Sequence, residues 1–160
     1  MTSHELLLLD CTLRDGGYHN HWDFPVELIE EYLRAMEAAS VDVVELGFRS
    51  LEHEGFRGGC AYTTDGFVRN LAVPAGLTLG VMVNTGELVR HDDGVAAAVD
   101  ALFAPADDSP VTLVRLASHF VEVEAGFEAV ADQLLADVLL VEDVARAFSL
   151  SRNGAGNCRM

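Results

Sequence analysis

The chain has no lysine: its ten basic residues are all arginine, set against 26 acidic ones, for a formal net charge of -16 over 160 residues. Schiff-base aldolases, pyridoxal-phosphate enzymes and glycine-rich phosphate loops that end in Gly-Lys all need a lysine amine, so carbonyl chemistry here does not pass through an imine. The shortage of positive charge also speaks against nucleic acid and anionic membranes as partners, since both polyanions are repelled by such a surface. Cysteine is scarce, and Cys11, Cys60 and Cys158 are an odd number without CxxC spacing. They read as buried free thiols rather than a disulfide framework or a zinc knuckle. Long hydrophobic runs are missing too. The leucines at positions 6–9 are closed by Asp10, far short of the ~20 residues of a spanning helix, and no basic segment precedes them. A soluble, cytoplasmic protein is the expectation.

What the sequence does have is 50% hydrophobic residues, enough for one domain that buries roughly two-thirds of its unfolded surface. Short Val- and Leu-rich runs at 5–10, 41–45, 77–83 and 111–116 have the length of strands buried on both faces. Helical patterns lie between and after them. The segment 25–39 starts at Pro25 and carries apolar Val26, Leu28, Ile29, Tyr32, Leu33 and Met36 at helical spacing, and 65–71, 94–103 and 122–135 follow. This βαβαβαβα order predicts an α/β fold with parallel strands and outer helices, either a doubly wound sheet or a (β/α)8 barrel. The strands recur about every 35 residues, so eight units need ~280 residues where a barrel usually has about 250. The expected fold is therefore a partial (β/α)8 TIM barrel of four to five units. It occupies residues 1–148, with a possible fifth strand at 137–141. Residues 149–160 read as a polar tail outside the barrel, disordered or the product of a shifted reading frame.

Directly after the first strand stands Asp10-Cys11-Thr12-Leu13-Arg14-Asp15-Gly16-Gly17-Tyr18. The C-terminal ends of parallel strands are where chemistry collects in such folds. A carboxylate there can hold a hard cation, and the adjacent guanidinium offers a fixed fork to an oxyanion. By itself the motif also fits a salt-bridged loop turning on its glycines. Extended to Leu9, and with Trp22-Asp23-Phe24, Val44-Glu45-Leu46-Gly47-Phe48-Arg49 and Thr112-Leu113-Val114-Arg115-Leu116-Ala117, the sequence resembles the DRE-TIM metallolyase superfamily. It is most similar to the 4-hydroxy-2-oxovalerate aldolase-like branch of the HMGL-like (pyruvate carboxyltransferase) domain.

That resemblance implies a metal-dependent carbon-carbon lyase or aldolase acting on a small 2-oxo acid such as pyruvate. Asp15 would bind Mn2+ or Mg2+, and Arg14 would hold the substrate and stabilise its enolate. Glu45 matches a position that supports the site or assists proton transfer, and Arg115 is a candidate for the substrate carboxylate. His119, just past the fourth strand, stands on the same rim as a candidate base or ligand. Two departures follow. The family completes its metal site with a late His-x-His pair that this sequence does not reach, and position 18 is Tyr where the aldolases carry a histidine. His19-Asn20-His21, if extended, would put two imidazoles on one side near Asp15, although a solvated His-rich loop is the preferred reading. The competing expectation is a catalytically inactive barrel fragment with only a folding or association role, as a homo-oligomer or paired with a missing C-terminal half.

Overall fold

The computed structural model describes residues 6–53, 55–119 and 121–123. Four strands, β1 (Leu9–Asp10), β2 (Val43–Arg49), β3 (Thr78–Asn84) and β4 (Leu113–Ala117), form one sheet in the order β1-β2-β3-β4, with every neighbouring pair parallel. Six helices run between them: α1 (Thr12–Asn20), α2 (Val26–Ala38), α3 (Gly59–Tyr62), α4 (Asp65–Arg69), α5 (Thr85–Val89) and α6 (Gly94–Leu102). A strand order that follows chain order never reverses direction, so the sheet winds one way and curls into a half-barrel. A doubly wound sheet reverses at its switch point, and that alternative is thereby removed.

Side-chain alternation divides the sheet into two faces. Val44, Leu46, Val81, Val83, Val114 and Leu116 pack with Ile29 and Leu33 of α2, Val68 of α4, Leu88 of α5 and Val99 of α6 in one apolar core. Ile29 and Leu33 lie four residues apart on α2 and are 1% and 0% exposed, which places both on the same stripe. Burial of each contributes roughly 1.5–3 kcal/mol. The opposite, concave face carries Glu45, Met82 and Arg115, and there the sheet becomes polar. No helix among the described residues is long and apolar enough to cross a membrane.

Local structure departs from the sequence expectation in four places. The segment after β1 is not a glycine loop but the nine-residue helix α1. A Cβ on Gly17 would come within 1.9 Å of the Trp22 indole, so this glycine serves close packing rather than a turn. Second, β1 is shorter than expected, because only Leu9 and Asp10 pair with β2 and Leu6, Leu7 and Leu8 are exposed. Third, β2 continues past Glu45 to Arg49, so Glu45 lies inside the strand rather than at its end. Fourth, the five-residue α5 was not anticipated; the Asn84 side chain caps it by accepting from the Gly86 amide at 2.9 Å. The expected helix at 122–135, the possible strand at 137–141 and the tail at 149–160 fall, but for residues 122 and 123, outside the described residues.

A bulge in β2 decides what faces the concave side. The register with β3 shifts between Glu45 and Gly47, so Leu46 and Gly47 both turn toward the helices. A Cβ on Gly47 would meet the Cys60 carbonyl of α3 at 1.7 Å. Only glycine allows so close an approach of α3 to the strand. Past the bulge Phe48 stands beside Met82, which stands beside Arg115, and Arg49 points outward. Such an inserted residue re-aims the side chains that follow it.

Candidate active site

On the concave face three charged side chains from three segments of the chain meet. Glu45 is fully buried and Arg115 grips it in a bidentate fork: Arg115 Nε donates to Oε2 at 2.7 Å and Nη2 to Oε1 at 3.0 Å. From α1, Arg14 brings Nε to 2.5 Å of Glu45 Oε1, a charge contact rather than an aligned hydrogen bond. One carboxylate thus holds two guanidinium groups side by side. Both oxygens of Glu45 are engaged, which fits a residue that positions Arg14 better than one that moves protons.

The rest of the Arg14 guanidinium is less evenly served. Nη2 lies 3.1 Å from Asp15 Oδ1, and Nη1 donates to the Met82 thioether sulfur at 3.0 Å. Sulfur is a weak acceptor, so this donor is satisfied only poorly. The Arg14 carbon also lies over the Phe48 ring, 5.9 Å from its centroid. Burial by itself would lower the Arg14 pKa, but contact with Cys11 and the charges of Glu45 and Asp15 outweigh it, and the pKa stands above its ordinary value. The cation is permanent. Arg14 and Arg115 are balanced by Glu45 and Asp15, so what the cluster offers an anion is a fixed N–H donor rather than an excess of positive charge.

Helix α1 fixes this corner. The Trp22 indole nitrogen donates to the Arg14 carbonyl at 2.8 Å, and the chain reverses after α1 through His21 and Trp22, at φ 58° and 57°. Two successive left-handed residues without glycine cost roughly 1–2 kcal/mol each, and the burial of Trp22 against Gly17 offsets that cost. At the base of α1, Asp10 accepts from the Thr12 amide and hydroxyl at 3.1 and 2.9 Å and from the Tyr32 hydroxyl at 2.7 Å. Burial, joined by this bond to Asp10, pushes the Tyr32 pKa up.

The other expected site residues are less closely gathered. Asp15 belongs to the first turn of α1 and its side chain is 58% exposed; its second oxygen accepts from Cys11 Sγ at 3.4 Å. Among the described residues no three His, Cys, Asp or Glu side chains come together where they could hold a metal ion. Mn2+ and Mg2+ need more oxygen ligands than one carboxylate, so these residues do not by themselves make the cation site that the resemblance implies. His19 and His21 correct the extended reading: one lies in the last turn of α1 and the other is its left-handed cap, and both are exposed. His119 is exposed beyond β4, where its amide donates to Glu122 Oε2 at 3.1 Å. Sequence reasoning missed Met82 and Phe48, which come to Arg14 only through the fold.

No protein-family model matches the chain, and no curated protein matches it. Among solved structures it is similar to the N-terminal domain of a Bacteroides vulgatus protein provisionally described as an aldolase. The two share 24% identity and a TM-score of 0.71 over 87% of this chain and 44% of the other. The chain thus spans less than half the length of that structure, and what the two share is the fold.

Proposed function

We propose that this chain supplies the oxyanion-binding part of a barrel lyase of the DRE-TIM, 4-hydroxy-2-oxovalerate aldolase-like kind, acting on a 2-oxo acid. The observation that carries the reading is Arg14: a buried guanidinium, braced by Glu45 and Arg115, with one donor resting on a thioether. Aldol cleavage of a 4-hydroxy-2-oxo acid passes the 4-hydroxyl proton to a base such as water, breaks the C3–C4 bond, releases an aldehyde and leaves an enolate whose charge gathers on oxygen until C3 is protonated. A fixed cation binds that developing charge more strongly than it binds the neutral carbonyl, which lowers the barrier. Exchanging Met82 sulfur for an oxyanion also gives Nη1 a better partner. Glu45 positions Arg14, and Arg115 keeps Glu45 in place. Asp15 offers one oxygen toward Mn2+ or Mg2+, whose other ligands would have to come from beyond the described residues. His119, exposed beyond β4 with its amide bonded to Glu122, is given no step.

Oxalate, a planar stand-in for the pyruvate enolate, tests the reading. Titrated into the chain and followed by amide NMR, it is expected to saturate a site around residues 14–17, and Arg14→Gln is expected to weaken it at least tenfold. An oxyanion donor is typically worth ~100- to 1,000-fold in rate, so exchange of pyruvate methyl protons with deuterated solvent should also exceed the Arg14→Gln level. Oxalate affinity indifferent to Arg14 overturns the proposal.

One observation favours the alternative of a chain with only a folding or association role: Leu6, Leu7 and Leu8 are 92%, 52% and 55% exposed beside the two-residue edge strand β1. That reading predicts concentration-dependent association in sedimentation velocity and no difference between wild type and Arg14→Gln toward oxalate.

A further inference from the structure

The Arg14 corner is bordered by aromatic rings. Phe48, turned inward by the β2 bulge, is the ring over which the guanidinium lies. Trp22 and Tyr18 meet Phe48 edge-on, at centroid separations of 5.6 and 6.1 Å, and each other at 4.8 Å. All three separations lie in the range where edge-to-face pairs attract, and such pairs contribute about 0.5–1.5 kcal/mol beyond the area they bury.

Two of the rings are held and one is open. Trp22 is buried over Gly17 with its nitrogen bonded to the Arg14 carbonyl, and Phe48 is half-buried in the strand. Tyr18 is 65% exposed, although it meets two neighbouring rings edge-on. Folding covers the other two rings more fully and leaves most of Tyr18 open beside Phe48. The corner therefore joins one cationic fork, one thioether and an aromatic wall. A ligand that satisfies all three has an anionic head and a flat apolar group a short distance away.

Resting on the reading that Arg14 takes the oxyanion, we propose that the site selects 2-oxo acids bearing an aryl group on C3, with Phe48 and Tyr18 as the wall against which that ring packs. The guanidinium carbon is 5.9 Å from the Phe48 centroid, so a ring two carbons from a bound carboxylate comes within aromatic contact of the wall. An unsubstituted pyruvate leaves the wall wet. Phe48 and Tyr18 are specificity residues in this scheme and Arg14 is the anchor common to both ligands.

Phenylpyruvate and pyruvate, each competed against oxalate, provide the test. Phenylpyruvate is expected to bind about tenfold more tightly to wild type, in line with one aromatic pair plus the ring area buried. Tyr18→Ala, an exposed change that leaves Trp22 and Phe48 packed, should bring the ratio to within about twofold of one. Phe48→Leu should reduce it as well, and circular dichroism confirms that each variant is folded. Equal affinity of wild type for the two ligands, or a ratio unmoved by Tyr18→Ala, overturns the aryl preference alone. Binding of neither ligand overturns the Arg14 reading and this one with it.

Discussion

Arg14 and Arg49 are both buried arginines beside a carboxylate and an aromatic ring, yet their surroundings differ in one respect. Arg49 is closed by oxygen at every nitrogen: Nε donates to the Thr63 carbonyl at 3.0 Å, Nη1 to the Leu102 carbonyl at 2.6 Å, and Nη2 to Asp65. Its ring neighbour is Phe103, 4.8 Å from the guanidinium carbon. Arg14 has carboxylates on two nitrogens and a sulfur on the third. The first arrangement ties three segments of chain together and sets an oxygen against every nitrogen. The second leaves a donor that gains by meeting an oxyanion. On the proposed reading the acceptors around each guanidinium, rather than its burial or charge, set Arg14 apart from Arg49.

The comparison is broken most severely at Arg49. Arg49→Ala takes its nearest cation from the Asp65 carboxylate, 13% exposed, leaves it only Ser109 and the more distant Arg69, unpairs two carbonyls, and should cost about 3–4 kcal/mol in urea unfolding. Glu45→Gln comes next. It keeps the shape but removes the charge that holds two guanidinium groups together, for an expected loss of about 2–3 kcal/mol, with a weaker and broader oxalate response.

Cys60 probes how dry the Arg49 side is, since its carbonyl abuts Gly47 and accepts from the Thr63 hydroxyl at 3.1 Å. Burial pushes its thiol from an ordinary 9.0 up to about 12. The folded chain thus keeps the proton that the unfolded chain releases. Its contribution is whole below pH 9.0, fades as pH rises from there and is gone above about 12. Near pH 10 the loss is on the order of 1 kcal/mol, and Cys60→Ala should flatten that slope in denaturation curves. The smallest stability effect belongs to Arg14→Gln, below about 1 kcal/mol, because Arg115 retains Glu45 and Asp15 returns to water. A stability loss there as large as at Arg49 would erase the distinction between the two arginines.

These contrasts also mark what was legible in the sequence. The runs at 77–83 and 111–116 are aliphatic because those strands are buried; their order alone left two windings open, and their spacing favoured the barrel. The helix at 25–39 could be read to within a residue of Val26–Ala38, since its buried stripe has helical spacing. Other signals have two physical causes and were assigned to the wrong one. Gly16-Gly17 reads as a turn, whereas Gly17 makes room for an indole. Glu45 reads as the end of a strand, although it lies inside β2, buried between guanidinium groups. Arg14 and Asp15 were legible as a pair because they are adjacent in the chain. Met82, 68 residues from Arg14, is an ordinary residue in an apolar run until the sheet brings the two together.

The β2 bulge sets a parity for everything downstream of it. Counting residues from Glu45, Phe48 falls on the concave side and Arg49 on the helix side only because one extra residue is accommodated between Glu45 and Gly47. Ironing the bulge into regular register with every residue kept would turn Gly47, Phe48 and Arg49 to the opposite face. A guanidinium would then be delivered to the barrel interior and a phenyl ring to the carbonyl cage of Thr63 and Leu102, so the scaffold and the site would fail in a single step. Deleting Leu46 instead heals the ladder and keeps the faces, because what the bulge does is leave one residue out of the count.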